Sequence, residues 1–275
     1  MPRLPRRAVV WAAAAIVAIN GFVPAIWVLL TSLKSESELM RLPITVLPAA
    51  PTLGNYVRVF VDQPILLFLW NSVMVATLST LLCITVSALA AYALVRLRVP
   101  APGAILAVLM GIAMFPLISL VVPLFQTMRG LGLLNTWPAL VLPYAVLSMP
   151  VCTMVLVSFF QDIPADIENA AMIDGCSRIG ALWHVVIPLT APGVFTAAIL
   201  AFVNAWDEFL LALTLSSRVT SRTLPVGITL YQGEFSFPWP IISAALIVAI
   251  VPISILIAVF QDRVVGGLTA GGMKG

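Results

Sequence analysis

Apolar residues in this chain run on in long charge-free tracts, instead of recurring at the period of an amphipathic helix or alternating as in a half-buried strand. Short polar stretches separate the tracts. Crossing about 30 Å of hydrocarbon takes about 20 helical residues. Six tracts meet that length, and they predict spans at about 9–33, 67–95, 104–128, 138–160, 185–206 and 241–261. A transmembrane barrel is excluded, because no segment shows the alternation that separates lipid-facing from lumen-facing side chains. The expected fold class is therefore an all-α polytopic membrane protein with six transmembrane helices in a single domain, 1–275. Several tracts exceed the minimum length. The prolines at 116, 123, 138, 143, 150 and 252 mark where breaks are expected, since proline lacks the N–H that continues a helix.

Three polar stretches remain between the spans, at 34–64, 162–184 and 207–239. The first tract follows Arg3, Arg6 and Arg7, like the core of a secretory signal, but it is longer than the 7–15 residues typical of one and reads as an uncleaved span. Placing the N-terminus in the cytoplasm puts Arg3, Arg6, Arg7, Arg96, Arg98, Arg178, Arg263 and Lys274 inside. Lys34, Arg41, Arg58, Arg129, Arg218 and Arg222 then lie outside. The positive-inside bias is clearest in the short segments, the N-terminal triplet and the Arg96-Leu97-Arg98 turn. Both termini are then cytoplasmic in a multi-pass protein of the cytoplasmic (inner) membrane. The stretch 162–184 faces the same side, while 34–64 and 207–239 form outer loops.

Composition agrees: 61% of residues are hydrophobic and 9% charged, against about a quarter charged in soluble domains. A net charge of +3 spread over isolated lysines and arginines makes no basic patch, so nucleic acid is excluded as a partner. Cys83, Cys152 and Cys176 are far apart, without metal-binding spacing, and read as small packing residues. No metal site is expected.

The cytoplasmic stretch carries the most information. IPADIENAAMIDG predicts a short helix with proline in its first turn, Asp166 and Glu168 near the positive end of its dipole, and Gly175 as its terminator. Ser177 can cap a second helix running toward Val186, and Pro188 then leads into the fifth span. Ile167, Ala170, Ala171 and Asp174 share one face at helical spacing. Two adjacent alanines make that face thin enough for another protein to approach closely. A helix resting on lipid headgroups would carry bulky apolar groups opposite lysine and arginine, whereas this one carries acids.

This stretch resembles the EAA loop of ABC importer permeases: EAA, three residues, Gly, nine residues, then I-x-L-P. The chain reads Asn169-Ala170-Ala171, three residues, Gly175, nine residues, then Val185-Val186-Ile187-Pro188. In that family the loop is the coupling helix, seated in a groove of the ATP-hydrolysing subunit. The resemblance implies ATPase coupling through Glu168, Asn169, Ala170, Ala171, Asp174, Gly175 and Pro188. Asn169 stands where the motif has glutamate, so either Glu168 supplies the charge or Asn169 keeps a neutral hydrogen bond. Further segments, among them AYALVRLRVP, LGLLNTWPALVLPY, FFQDIP, NAWDEFLLAL and GLTAGGMKG, are similar to the sugar-importing, MalG-like branch. Within that branch the likeness is to permeases for disaccharides such as trehalose or maltose, with another solute, such as an amino sugar or a glycerophosphodiester, as the alternative. The implied partners are a homologous MalF-like permease, two MalK-like ATPase subunits that bind ATP and magnesium, an extracytoplasmic sugar-binding protein and the lipid bilayer.

Energy must come from such partners. The chain has no GxxxxGK[ST] phosphate loop, and its spans lack the mid-membrane carboxylates or histidine of an ion-coupled carrier. No HExxH, GxSxG or GxGD motif is present, and the single histidine, His184, lies in the elbow, so no catalytic residue and no cofactor is assigned to this polypeptide. A neutral sugar calls for hydrogen-bonding and aromatic side chains. Asn71, Asn204, Trp206, Asp207 and Glu208 are the candidates for the solute path. The alternatives are helix pairing by Asn71, membership of Trp206 in an interfacial aromatic belt, and solvation or pairing of the two acids, Asp207 and Glu208. Gln232, Gly233, Glu234, Phe235 and Ser236 align with the loop that, in maltose-type importers, contacts the binding protein, with membership of an interfacial aromatic belt as the alternative.

Overall fold

A computed structural model describes residues 6–233 and 236–272, with the side chains of 6, 8, 9 and 261–272 excepted. The described residues contain helices and turns and no strand. The long apolar tracts form α1 (Arg6–Ser32), α4 (Ile65–Arg96), α7 (Trp137–Gln161) and α14 (Trp239–Gly272). Each contains a stretch long and apolar enough to span a bilayer. Lipid offers backbone groups no hydrogen bonds, so a helix is the form such a tract must take.

The other two predicted spans are bent pairs. α5 (Pro102–Ala113) and α6 (Leu117–Gly130) meet at 88°, in place of one helix over 104–128. Pro116 sits at that break with extended ψ of 122°, consistent with its missing N–H. The other expected break points differ. Pro138 occupies the first turn of α7, where no N–H is needed. Pro123, Pro143, Pro150 and Pro252 lie within continuous helices, as does Pro24. Pro143 and Pro150 are buried, held by the surrounding packing.

The fifth predicted span, 185–206, is not one continuous helix. α8 (Ala165–Ile173) is followed by α9 (Arg178–Ala181), a wide π turn over Leu182–Val186 and α10 (Ile187–Leu189). The chain then turns by 87° into α11 (Ala191–Asp207). Pro188 therefore precedes the bend and does not open the span. The turn falls at Thr190, whose buried hydroxyl donates back to the Val186 carbonyl at 2.7 Å.

The stretch 34–64, expected as an outer loop, carries helix. It folds into α2 (Glu36–Leu39) and α3 (Gly54–Asp62). Lys34, expected as an exposed outer charge, is only 1% exposed, donating to the Thr45 carbonyl and lying 5.4 Å from the Trp27 ring. Beyond α11 come α12 (Leu210–Leu215), a short turn at Val219–Ser221, α13 (Leu224–Ile228) and a turn at Thr229–Tyr231.

The chain forms two compact units. In the first, residues 1–66 and 227–252, the Asn55 carboxamide donates to the carbonyls of Ser32 and Lys34, both at 2.8 Å, and the Tyr231 hydroxyl donates to the Val59 carbonyl at 2.5 Å. In the second, residues 67–226 and 253–275, α7 packs against α5 and α11. Small residues face each other there, with Ala145, Cys152, Ala197 and Ala201 buried. Without a hydrophobic drive between helices in lipid, such close backbone approach supplies the packing energy. Cys83 and Cys152 are free thiols in this core, in line with their reading as packing residues.

Candidate functional site

The elbow predicted between the fourth and fifth spans is present. Pro164 caps α8 from an extended conformation, and Asp166 and Glu168 occupy the first turn. Gly175 adopts φ of +98°, and two bonds close the helix end, Cys176 N–H to the Ala171 carbonyl at 3.0 Å and Gly175 N–H to the Met172 carbonyl at 3.2 Å. Only a residue tolerant of left-handed φ fits there. Ser177 caps the second arm, accepting the Gly180 N–H at 3.1 Å. His184 is exposed with Nδ1 at 3.0 Å from the Gly180 carbonyl, an internal contact of that arm.

Side-chain placement on α8 separates the acidic residues. Ile167, Asn169, Ala170 and Asp174 are exposed and Ala171 half-buried, so the alanine face lies open. Glu168, expected on the docking surface, is turned inward and is 3% exposed. One of its carboxylate oxygens accepts from Arg96 Nε at 2.8 Å, and the other accepts the Tyr92 hydroxyl. The same arginine donates through Nη2 to the carbonyls of Phe160 at 3.2 Å and Ile163 at 2.7 Å. Burial of a carboxylate is tolerated only with such pairing. Of the two sources of charge weighed for a partner groove, Glu168 is thus already engaged within the chain.

The five solute-path candidates also part company. Asn71 is buried, donating to the carbonyls of Thr220 and Arg222, each at 3.0 Å, and accepting the Trp137 indole N–H at 3.0 Å. It is a structural tie with its carboxamide fully used. Trp206 is buried and stacked on Phe202. Glu208 accepts the Tyr144 hydroxyl at 2.6 Å and cradles the N–H groups of Leu211 and Ala212, capping α12. Asp207 is exposed at the end of α11. Asn204 lines a cavity of about 290 Å³, where it donates to the Ser148 hydroxyl at 3.0 Å beside Ala113, Cys152, Leu200 and Ala201. Ser148 went unremarked in the sequence because a serine within a proline-rich apolar tract gives no signal of facing a cavity.

Gln232, Gly233 and Ser236 are exposed, and the Gly233 N–H donates to the Ser236 carbonyl at 2.9 Å. Glu234 and Phe235 lie outside the described residues, as do Met273, Lys274 and Gly275 of the C-terminal segment.

Residues 65–269 match the family described as binding-protein-dependent transport system inner membrane component. The chain belongs to this family. The permease is 66% identical over 263 residues to the sulfoquinovosyl glycerol transport system permease protein SmoH of Agrobacterium fabrum, covering 96% of this chain and 92% of the relative. It is 39% identical to the trehalose/maltose transport system permease protein MalG of Thermococcus litoralis, covering 95% of each. It is 38% identical to the trehalose transport system permease protein SugB of Mycobacterium tuberculosis, covering 98% and 99%. Its fold matches a chain in the crystal structure of a bacterial ABC transporter involved in the import of the acidic polysaccharide alginate, with a TM-score of 0.76 at 20% identity, over 95% of this chain and 99% of that one. The permease is thus a MalG-like, multi-pass component of an ABC sugar importer in the inner membrane, working with ATPase subunits and a binding protein.

Proposed function

We propose that this permease forms half of the path for a sugar glycoside of the sulfoquinovosyl glycerol type. The 66% identity to SmoH over nearly the whole chain carries this reading. Trehalose or maltose is the second reading, favoured by the relatives at 39% and 38% identity. In either case a homologous MalF-like permease completes the path, two MalK-like subunits hold ATP and magnesium, and both termini of this chain face the cytoplasm. The cavity at Ser148 and Asn204 offers hydroxyl and carboxamide groups suited to a sugar. The stretch 232–236 is the proposed contact with the binding protein.

Coupling runs through the elbow. Asn169, Ala170, Ala171 and Asp174 present the docking face, and Gly175 and Pro188 set the shape of the bend. Closure of the ATPase dimer then shifts the permease between inward- and outward-open populations. The substrate is tested by reconstituting the importer with its binding protein and comparing uptake of sulfoquinovosyl glycerol, trehalose and maltose. Preference for sulfoquinovosyl glycerol supports the first reading, and uptake of trehalose or maltose alone supports the second. Docking is tested by Ala170→Trp, which should release the ATPase subunits on co-purification without lowering the melting temperature of the permease; retention of the subunits would refute the docking face.

A further inference from the structure

Three helix ends converge beneath the elbow: the C-terminus of α4, the C-terminus of α7 and the N-terminus of α8. Arg96 and Glu168 join them. Arg96 closes α4 and places its guanidinium on the Phe160 and Ile163 carbonyls, at the end of α7. Those carbonyls lie where a helix leaves acceptors without partners of its own. Glu168 lies in the first turn of α8. Each charge therefore meets the dipole end that favours it, a cation at two C-termini and an anion at an N-terminus. With side-chain exposures of 14% and 4%, the pair is shielded from solvent and from salt screening.

α7 and α8 are covalently adjacent, with only residues 162–164 between them, so α7 must respond to any displacement of α8. No such link holds α4, because Arg96 and Glu168 are 72 residues apart in sequence. The Tyr92 hydroxyl on the second carboxylate oxygen gives α4 two points of attachment one helical turn apart. Such an attachment resists rotation as well as translation. A single surface contact would slip, whereas two short charged bonds inside a desolvated pocket hold their geometry.

We propose that Arg96 and Glu168, with Tyr92, form the strut that transmits displacement of α8 to α4 and α7, making Glu168 a positioning residue of coupling and not a docking residue. This rests on the reading of α8 as the ATPase-docking helix. A strut and a docking contact differ in what their loss does. Without the strut the ATPase subunits still bind and turn over, but their stroke reaches the membrane helices incompletely.

The experiment uses the complete importer, purified with its ATPase subunits and reconstituted in proteoliposomes with binding protein. Glu168→Gln keeps the shape and removes the charge. Arg96→Lys keeps the charge but cannot reach Glu168 and both carbonyls through one planar fork. For Glu168→Gln, full co-purification of the ATPase subunits is expected, together with a rise of about tenfold in ATP hydrolysed per solute imported, within the usual range of coupling energies. Arg96→Lys should show an intermediate rise. If Glu168→Gln fails to assemble, the paired variant Arg96→Met with Glu168→Met removes both charges and leaves neither unpaired, and the same rise is expected there.

An unchanged ratio of ATP to solute in every assembled variant overturns the proposal, because general damage lowers hydrolysis and transport together. Loss of the ATPase subunits from Glu168→Gln at an unchanged ratio would make Glu168 a docking residue, and failure of both constructions to assemble would make the pair a folding requirement; either overturns the strut. The Ala170→Trp result is read separately. Retained ATPase subunits in that variant would refute the docking face, while the ratio measured for Glu168→Gln would still judge the strut.

Discussion

Trp137, in the first turn of α7, donates its indole N–H to the Asn71 carboxamide oxygen at 3.0 Å. The amide group of the same asparagine donates to the carbonyls of Thr220 and Arg222. One buried side chain thus ties α4, α7 and the stretch following α12, which explains a polar residue inside an apolar span without invoking solute.

Asn71→Ala should accordingly act on stability. Asn71 itself is buried, while its partners at Thr220, Arg222 and Trp137 are exposed or half-buried, so each of the three bonds is worth about 0.5–1.5 kcal/mol, the net value of an ordinary hydrogen bond. Thermal unfolding in detergent should show a melting temperature lower by many degrees, while the solute preference of whatever transport survives is unaltered. A changed preference at normal stability would return Asn71 to the solute path.

Gly193 lies where α11 crosses α7, and a Cβ at that position would fall inside the van der Waals envelope of the Phe159 ring. Gly193→Ala should destabilise the permease by about 1–3 kcal/mol, the cost typical of overpacking. Combining it with Phe159→Leu should recover part of that loss in the same melting assay, because the clash and not the glycine backbone is the cause.

Gly175 presents the opposite case. A Cβ there meets open space, but φ is +98°. Gly175→Ala should therefore cost about 1–2 kcal/mol through backbone strain alone. Gly175→Asn should cost less, since asparagine tolerates left-handed conformations. Equal losses for alanine and asparagine would point to crowding instead, and melting curves of the two variants separate the explanations.

Glu38 gives the segment between α1 and α4 a dependence on pH. The Ala49 N–H, at 2.9 Å, and then the Thr45 hydroxyl, at 2.8 Å, hold its carboxyl below the ordinary value of 4.5, with Lys34 and Arg41 adding their charges. The unfolded segment takes up a proton first as pH falls. The stabilisation is thus complete above the ordinary carboxylate value and is lost as pH drops from there through the folded value. Cleavage by pepsin between α2 and α3 should rise as pH falls from about 5 to about 3, across the carboxylate range. In Glu38→Gln the segment should be cut readily at both ends of that range.

Hydropathy alone determined that the chain is helical and membrane-spanning, because a tract of about 20 apolar residues in lipid has no other way to satisfy its backbone. The elbow was legible for a similar reason. Pro164, Gly175 and Ser177 act on their own backbone within a few residues, so their order along the chain fixes the helix and its ends. The fate of polar side chains within and beside the spans was not legible. Asn71, Glu168 and Glu208 have partners 64 to 151 residues away, and composition cannot distinguish a group that awaits solute from one already bonded across the fold. Nor could sequence place the 88° and 87° bends, since Pro116 breaks its helix while Pro143 and Pro150 do not. Whether a proline ends a helix depends on the neighbours packed around it, and only the tertiary structure supplies them.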